Sequence, residues 1–388
     1  MERRTHLFAV HRVDPGNYRG IALLVTAGKI LTRVIVNRLV ECFDYLVPES
    51  QCGFRLGRST VDMMFSVRQL QDKCLKQRQP QFSCFVDLAK AYDTVHRGLL
   101  WQVLAKFGVP PSMLSIIKDL HEGMKAVLLM GDGESDPIAV NNGLRQGCVL
   151  ASNTFLLFMA AMLMHAFGNI REDLTLDGAI YIKFGGQDRL FDPRQLRDKY
   201  QLALLLDMLF ADEMGIFAHS EACLQRFMTR LANACKSYGL TISCGKTVVM
   251  LQQVPGAEAL PQPNITVHGT TLNNVSQFVY LGGIVTDDAS VDAEVTVRLR
   301  KAWVVFGRLY KRVWSQSHIR VKTKLSIFRC TVLATLLYGV ETMALKQTHL
   351  KRMDALVHRC LRSILRVKWY RGMTNEVRSV QIRSRLRW

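Results

Sequence analysis

The stretch MLFADEMGIF, residues 208–217, places two adjacent carboxylates, Asp212 and Glu213, in the middle of a strongly apolar run. The pattern predicts a strand, a tight turn that carries the acids, and a second strand. An ionised carboxylate is costly to bury alone, so each acid needs a partner: a base, another cation or a metal ion. The chemistry of this hairpin depends on which partner it has.

A third acid follows another apolar run. FSCFVDL, residues 82–88, is typical of a buried strand and contains Asp87 near its end. If the two strands are neighbours in one sheet, three carboxylates converge at one edge, where they cannot all ionise without cations. Hard oxygen ligands suit Mg²⁺ or Mn²⁺, and two such ions could activate a 3′-hydroxyl and stabilise a leaving pyrophosphate. Spacing alone leaves an alternative open, in which Asp87 caps the next helix and Glu213 faces solvent.

The positive charge of the chain is concentrated at its end. The 388 residues are enough for two or three subdomains around a sizeable core, and 49% apolar content excludes a mainly disordered chain. The net charge is +19. From Thr296 onward there are 22 Lys and Arg against three acids, whereas the first 295 residues hold 29 of each. This asymmetry favours a polyanion-binding element, with nucleic acid as the partner; a solvated basic face or an anionic membrane surface stays open.

Targeting and cysteine patterns favour an intracellular, reducing compartment, cytoplasmic or nuclear. The start, MERRTHLF, lacks the apolar region of a signal peptide, and none of the ten cysteines forms a C-x-x-C pair, which argues against structural zinc. Residues 148–167 have the length of a membrane-spanning helix. Because Ser152, Asn153 and His165 interrupt this run, we expect a buried core helix and no membrane partner.

Hairpins and helices alternate along the chain, which predicts an α+β fold with a mostly antiparallel sheet backed by helices. Hairpins are expected at 125–140, 179–191 and 277–285, and three helices close the chain at about 291–314, 321–345 and 349–367. The first of these helices has an apolar stripe suited to core packing. A second face carries bases with no alternating acids, which favours nucleic-acid binding by Arg298, Lys301, Arg308 and Arg312.

An ordered series of motifs resembles the reverse transcriptase of non-LTR, LINE-type retrotransposons over nearly the whole chain. The series is NYRGIALLVTAGKILTRVIVNRL, QCGFRLGRST, CFVDLAKAYDTVHR, NNGLRQGCVL, MLFADE, YGLTISCGKTVVM, FVYLGGIV, TKLSIFRCTVLATLLYGVETMAL and LVHRCLRSILRVKW. The resemblance implies a right-hand polymerase: 1–80 fingers-like, 81–285 palm with a peripheral hairpin insertion at about 170–200, and 286–388 a basic helical thumb with a C-terminal extension.

The resemblance also implies roles for the acids of the palm. Asp87 and Asp212 match the first and second catalytic aspartates, both metal ligands, and Glu213 stands where the family has a third aspartate. Tyr92 matches the aromatic gate that rejects a ribose 2′-hydroxyl. Lys246 matches a lysine near the pyrophosphate, a proton donor or charge partner. Two Mg²⁺ (or Mn²⁺) ions, an RNA template, a DNA primer and dNTPs follow as expected partners.

Further matches concern substrate contacts. Gln146 and Gly147 match the loop that follows the incoming nucleotide and template, where glycine lets the backbone approach closely. Arg19 matches a triphosphate-binding finger residue, with Arg12 as a basic companion. The YLGG stretch resembles the grip on the primer terminus, formed by Tyr280, Leu281 and Gly282.

Several departures from the family pattern bear on activity. Glu213 adds a methylene to the acid pair, and Ser152-Asn153 replaces a usual proline. A displacement of about an ångström can cost about 100-fold in rate, so activity is expected to be impaired. The chain begins in the fingers without an upstream endonuclease and ends within a basic segment, as expected of a truncated element. The hypotheses are an RNA-directed DNA polymerase, a catalytically weak or dead nucleic-acid-binding relative, and an intron-maturase-like protein.

Overall fold

The computed structural model describes residues 4–8, 19–20, 25–130, 133–171, 176–185 and 200–367. Arg12, the residues between 185 and 200 and the chain after 367 lie outside this description, and of Arg19 only the backbone is described. The described residues divide into two compact units. The first unit takes residues up to Met63 together with Lys73–Ser276, and the second takes Met64–Asp72 together with residues from Gln277 onward. The division into fingers, palm and thumb stays a prediction.

The strands are β1 Arg4–Phe8, β2 Arg19–Gly20, β3 Gln81–Val86, β4 Lys125–Met130, β5 Gly133–Glu134, β6 Ile138–Ala139, β7 Ile180–Gly185, β8 Tyr200–Leu205, β9 Asp207–Phe210, β10 Glu213–Ala218, β11 Val248–Gln252, β12 Thr266–Val267, β13 Thr270–Thr271, β14 Asn273–Asn274, β15 Gln277–Tyr280 and β16 Gly283–Thr286. The α-helices are α1 Thr26–Phe43, α2 Thr60–Lys76, α3 Ala91–Thr94, α4 Arg97–Lys106, α5 Pro111–His121, α6 Val149–Arg171, α7 Glu221–Ser237, α8 Asp292–Arg308, α9 Val321–Phe328, α10 Ala334–Leu337 and α11 Gln347–Leu365. Short 3-10 turns lie at Asp44–Leu46 and Val340–Thr342, and π-helical turns at Tyr310–Trp314 and Arg329–Leu333.

The central sheet of the first unit has the strand order β14-β11-β3-β10-β9. The pairs β11–β3, β3–β10 and β10–β9 are antiparallel, and only the short β14 runs parallel to its neighbour β11. All six residues of β3 are buried, because the strand lies in the middle of the sheet. The α+β fold with a mostly antiparallel sheet is therefore confirmed.

Helices on the sheet close the core of the first unit. The long apolar α6 contacts α1, α4 and α7, and Phe155, Phe158 and Phe167 on it are fully buried. The amphipathic α7 is capped by Ser220, whose side chain accepts a hydrogen bond from the Cys223 amide, and it ends before Gly239, which has a φ of 71°. The prediction that residues 148–167 form a buried core helix is confirmed by α6.

Within the described residues, two helical stretches have the length and composition of a membrane span. Val149–Ile170 is 67% buried inside the protein, as a core helix should be, and Val321–Thr342, which the sequence patterns did not single out, is 22% buried. Length and composition alone do not distinguish a membrane helix from a helix of a soluble protein.

One hairpin differs from the prediction. A hairpin was expected within residues 179–191, but β7 runs through Gly185 and pairs with β8, which begins at Tyr200. The pairing pattern requires this, since all six residues of β7 find partners on β8. The hairpins at 125–140 and 277–285 form as expected, with β4 pairing β5 and β6, and β15 pairing β16.

The second unit packs α8 to α11 around their apolar faces. Val295, Ala302 and Phe306 of α8 are buried, which confirms the apolar stripe, although Trp303 is 44% exposed. Phe306 stacks on Trp314 with ring centroids 5.3 Å apart, and the Trp314 indole N–H donates to the Phe306 carbonyl. The core of this unit is therefore local to its own helices.

Candidate active site

The sheet order brings two acids from distant parts of the chain to one edge. Asp87 directly follows β3, Asp212 lies in the two-residue turn between β9 and β10, and Met214 pairs with Val86 across the sheet. Both acids line one cleft of about 1360 Å³. The cleft is also lined by four other predicted site residues: Tyr92, Gln146, Gly147 and Lys246.

Lys246 is held beside Asp87 by backbone contacts. The Ser243 amide donates to the Asp87 carbonyl at 2.8 Å, and the Asp87 amide donates to the Thr247 hydroxyl at 3.2 Å. These bonds place Lys246 Nζ 3.8 Å from Asp87 Oδ2, with the lysine side chain 70% exposed and the aspartate 37% exposed. The pair is solvent-accessible, so the ammonium is available to a substrate in the cleft.

Tyr92 forms a rigid wall of the cleft. Its ring stacks on the buried Phe155, with centroids 4.4 Å apart and the planes 19° from parallel. Burial raises the pKa of Tyr92 well above its usual range, with a nearby Ser152 lowering it and Asp212 raising it. Within the described part of the chain no group bonds this hydroxyl with good hydrogen-bond geometry, although Ser152 is close. At neutral pH the side chain is therefore an uncharged ring whose position is fixed by packing.

The loop at 141–147 is fastened to the helix that carries Tyr92. The Leu144 amide donates to the Tyr92 carbonyl at 2.8 Å. Gly143 has a φ of 80°, and a Cβ there would lie 2.7 Å from the Asp93 carbonyl oxygen, so only glycine fits. Arg97 donates to the Gly143 carbonyl at 2.9 Å and to three other carbonyls, those of His121, Val140 and Asn142. These contacts explain why Gln146 and Gly147 lie beside Tyr92.

The turn that carries Asp212 is held by a loop far away in sequence. Gln51 is 2% exposed; its Oε1 accepts from the Ala211 amide at 2.9 Å, and its Nε2 donates to the Ala211 carbonyl at 3.3 Å. The same Oε1 accepts from the Gly53 amide at 2.8 Å. A Cβ on Gly53 would lie 2.3 Å from the Ala211 nitrogen. The contact therefore requires glycine at position 53.

Glu213 stands apart from the two cleft aspartates. It is the first residue of β10, is exposed, and does not line the cleft. Among the residues that the structure describes, no group of three or more His, Cys, Asp or Glu could hold a metal ion. Asp212 belongs to the turn and lines the cleft, whereas Glu213 begins β10 and does not line it. The expected cluster of three carboxylates is corrected to two.

In the second unit, the predicted primer grip is a tight hairpin turn. Tyr280 pairs with Gly283, which leaves Leu281 and Gly282 as the turn, with φ values of 48° and 81°. Tyr280 is 1% exposed, so its ring packs inside the unit and the accessible part of the motif is the turn itself. The role of Tyr280, Leu281 and Gly282 as a primer grip stays a prediction.

Arg298 was expected to bind nucleic acid, but it is buried beneath this turn. Its Nη2 donates to the Gly282 carbonyl at 2.6 Å, and its guanidinium lies 4.6 Å from the Tyr338 ring centre. Glu294 accepts from Arg298 at 2.9 Å and from Arg68 at 2.9 Å, and the Ile284 amide also donates to it. A charge enclosed in this way cannot reach a phosphate. Lys301, Arg308 and Arg312 are exposed, as binding requires.

Sequence patterns did not reveal Gln51, Arg97 or Glu294 as functional supports. Each acts through backbone or charge contacts with residues distant along the chain, which periodicity does not encode. The available signal was membership of the motif series, since Gln51 and Gly53 lie in QCGFRLGRST and Arg97 ends CFVDLAKAYDTVHR. Arg12 and the Arg19 side chain lie outside the described residues, so their predicted roles stay predictions.

Known proteins resemble this chain in sequence and in fold. The model of the family "Reverse transcriptase (RNA-dependent DNA polymerase)" matches residues 10–285. The RNA-directed DNA polymerase from mobile element jockey of Drosophila funebris is 24% identical over 372 residues, covering 92% of this chain and 36% of the relative. The probable RNA-directed DNA polymerase from transposon BS of Drosophila melanogaster is 25% identical over 372 residues, covering 93% and 38%.

A solved structure of apo telomerase from Candida tropicalis superposes with a TM-score of 0.50 at 12% identity, covering 98% of this chain and 59% of that chain. This likeness supports the polymerase fold. The chain spans little more than a third of the length of the two insect relatives. The family match covers most of the chain, and the motif series agrees with it. The chain therefore belongs to the reverse transcriptase (RNA-dependent DNA polymerase) family, with the non-LTR, LINE-type retrotransposon members.

Proposed function

We propose that this chain is an RNA-directed DNA polymerase that adds deoxynucleotides to the 3′-end of a primer. The observation that carries the proposal is the single cleft lined by Asp87, Asp212, Tyr92, Gln146 and Lys246. These residues come from four separate motifs of the chain, and each is of the type that the reaction needs at that place. Membership of the reverse transcriptase family supports the same chemistry.

The donor set of the cleft fits divalent cations. Mg²⁺ is usually bound through one or two carboxylates together with substrate phosphates, rather than by a cage of protein ligands alone. Asp87 and Asp212 supply two carboxylates in an open cleft, which leaves coordination positions for phosphate and water. These two residues would hold two Mg²⁺ or Mn²⁺ ions, which supply activation of the 3′-hydroxyl and neutralisation of the phosphate charge.

The other residues of the cleft bind and orient the nucleotide. Lys246, 3.8 Å from Asp87 and largely exposed, is placed to neutralise the pyrophosphate and to donate a proton to it as it leaves. Tyr92 presents a fixed ring that excludes the additional oxygen of a ribonucleotide. Gly147, with a φ of 102°, lets the backbone approach the base pair closely beside Gln146.

The partners in this proposal are an RNA template, a DNA primer and dNTPs. The exposed bases of the second unit, Lys301, Arg308 and Arg312, would contact the phosphates of the duplex in a salt-dependent way. An intracellular site of action, cytoplasmic or nuclear, goes with this chemistry.

A second function is favoured by one observation. Glu213 stands where the family has an aspartate, and it does not line the cleft. The alternative is a catalytically weak or inactive relative that keeps the fold and binds RNA or an RNA–DNA hybrid. Both functions predict binding, so affinity does not separate them.

Primer extension on poly(rA)/oligo(dT) with dTTP and Mg²⁺ separates the two functions. Incorporation by the full chain that disappears in Asp87→Ala supports the polymerase. Glu213→Asp should raise the rate if the additional methylene is the defect. No incorporation by either the wild type or Glu213→Asp would favour the binding protein. Incorporation that persists in Asp87→Ala would reject the site.

A further inference from the structure

We propose that Gln51 is a positioning residue that fixes the carboxylate of Asp212 by clamping the turn on which it lies. The inference rests on the proposed function for its catalytic consequence, and on geometry for the clamp itself. Asp212 sits in a turn of only two residues, so the backbone of its neighbour Ala211 determines where its side chain begins. Gln51 bonds to both polar backbone groups of Ala211.

The turn needs such support because its backbone is strained. Ala211 has a φ of 58°, in the left-handed region that residues with a Cβ avoid. Strained residues of this kind persist where the surrounding structure over-determines them, and they concentrate at functional sites. Here the surroundings are the amide of Gln51 and the closely packed Gly53, whose missing side chain lets the two backbones meet.

The loop that supplies Gln51 is itself part of the sheet edge. The Cys52 amide donates to the Leu209 carbonyl at 2.9 Å, and the Leu209 amide donates to the Ser50 carbonyl at 3.0 Å. Gln51 therefore pairs with β9 in parallel, like an additional short strand. A residue in a strand-like backbone with a 2% exposed side chain has little freedom, so the clamp is rigid.

The clamp also connects Asp212 to another part of the cleft lining. Phe54, Arg55 and Leu56, just beyond the clamp, line the same cleft as Asp212. Arg55 is fastened in turn to Asp44 at 2.8 Å. Gln51 therefore fixes the position of Asp212 relative to Phe54, Arg55 and Leu56. A substrate that contacts these three residues meets the Asp212 carboxylate at a defined distance.

The experiment compares Gln51→Leu with a matched variant, Gln225→Leu. Gln225 makes the same pair of bonds to one backbone residue: it accepts from the Thr266 amide at 2.8 Å and donates to the Thr266 carbonyl at 2.9 Å. Gln225 does not line the cleft.

The first readout is primer extension by the full chain with Mg²⁺. Gln51→Leu should lower kcat about 10- to 100-fold with a smaller change in KM, since a displaced carboxylate costs transition-state stabilisation rather than binding. Gln225→Leu should keep the wild-type kcat. Equal kcat values in Gln51→Leu and Gln225→Leu would overturn the proposal.

The second readout needs no polymerase activity. Binding of Mn²⁺ alone, followed by calorimetry, should weaken in Gln51→Leu and not in Gln225→Leu, while hydrogen exchange of the Ala211 amide should accelerate only in Gln51→Leu. If the wild type extends no primer but this pattern appears, the proposed function fails and the clamp stands. If the wild type is active and Mn²⁺ binding is unchanged in Gln51→Leu, the clamp fails and the function stands.

Discussion

Two hairpin turns, one in each compact unit, carry predicted site residues, and they are stabilised by opposite means. In the first unit the turn Ala211-Asp212 joins β9 to β10, and in the second Leu281-Gly282 joins β15 to β16. Each contains a non-glycine residue with positive φ, 58° at Ala211 and 48° at Leu281. Such a residue costs about 1–2 kcal/mol relative to ordinary backbone, so both turns depend on outside contacts.

The contacts differ in charge. The neutral side-chain amide of Gln51 holds the first turn by hydrogen bonds to the backbone of Ala211. The second turn lies on a buried ion network: Arg298 donates to the Gly282 carbonyl, and Glu294 joins Arg298 to Arg68. Glu294 and Arg298 are 2% and 6% exposed.

The difference follows from what each turn carries. Asp212 is a carboxylate in a cleft suited to cations, and a charged clamp beneath it would compete with those cations or repel it. A neutral amide satisfies the backbone without adding charge. The turn at Leu281-Gly282 carries no charge of its own, so a charged network can hold it if every member is paired. A clamp near a charged site is therefore neutral, and one away from it can be ionic.

The largest effect is expected in the ionic clamp. Glu294→Gln leaves the buried Arg298 and the partly buried Arg68 without their counter-charge, which should lower the free energy of unfolding by about 3–5 kcal/mol. Urea denaturation of the full chain, with hydrogen exchange to localise the change to the second unit, measures it. The control is Glu341→Gln, an exposed acid of the same unit. Equal losses in the two variants would contradict the network.

Loss of the neutral clamp should cost less stability. Gln51→Leu leaves the buried amides of Ala211 and Gly53 without their acceptor, which should cost about 1–3 kcal/mol of unfolding free energy. The same urea titration measures it. A loss in Gln51→Leu that exceeds the loss in Glu294→Gln would reverse the comparison.

Salt dependence distinguishes buried from exposed bases. Lys301→Gln should reduce the slope of log affinity against log salt for an RNA–DNA hybrid by about 0.9, as expected for one phosphate contact. Arg298→Met should leave this slope unchanged, because the side chain is enclosed. Filter binding at several salt concentrations, at a temperature where both variants are folded, measures the slopes. A reduced slope in Arg298→Met would show that Arg298 contacts the nucleic acid after all.

The smallest effect concerns acid pH in the second unit. His349 Nε2 donates to Asp292 Oδ1 at 2.7 Å, and this hydrogen bond lowers the pKa of Asp292 below its usual value. The interaction therefore stabilises the unit above the unfolded-state pKa of about 3.9 and is lost as the pH falls through the lower folded-state value. Urea midpoints of the wild type and Asp292→Asn should differ at pH 6 and converge in acid. Hydrogen exchange at Ala211 should show no matching change, and a parallel change there would contradict the neutral clamp.

Much of the cleft was predictable, because its chemistry lies in short local patterns. The apolar run before Asp87 and the hairpin around Asp212 specify strands by alternation and length, and the structure places both acids at one sheet edge. The buried helix at 149–171 was equally readable from its composition. The roles of Gln51 and Arg97 as supports could not be predicted. Both look like ordinary loop and helix residues, and their roles depend on backbone groups distant along the chain.

Arg298 shows where pattern reasoning fails. On a helical wheel it belongs to a basic face, and its neighbours Lys301 and Arg308 are indeed exposed. Its burial depends on Glu294 one turn earlier and on the carbonyl of Gly282, which approaches from another element. A periodic pattern counts charges along one helix and contains no information on what covers them.

The amino-acid sequence by itself determined the α+β class, the strands that end in acids, the basic end of the chain and the family to which it belongs. These depend on local periodicity and on residue types that persist in short motifs. Only the tertiary structure decided that two carboxylates rather than three face the cleft, that a remote glutamine clamps the turn of Asp212, and that Arg298 is enclosed. Those outcomes depend on hydrogen bonds and contacts between segments distant along the chain, whose free energies exist only after the chain has folded.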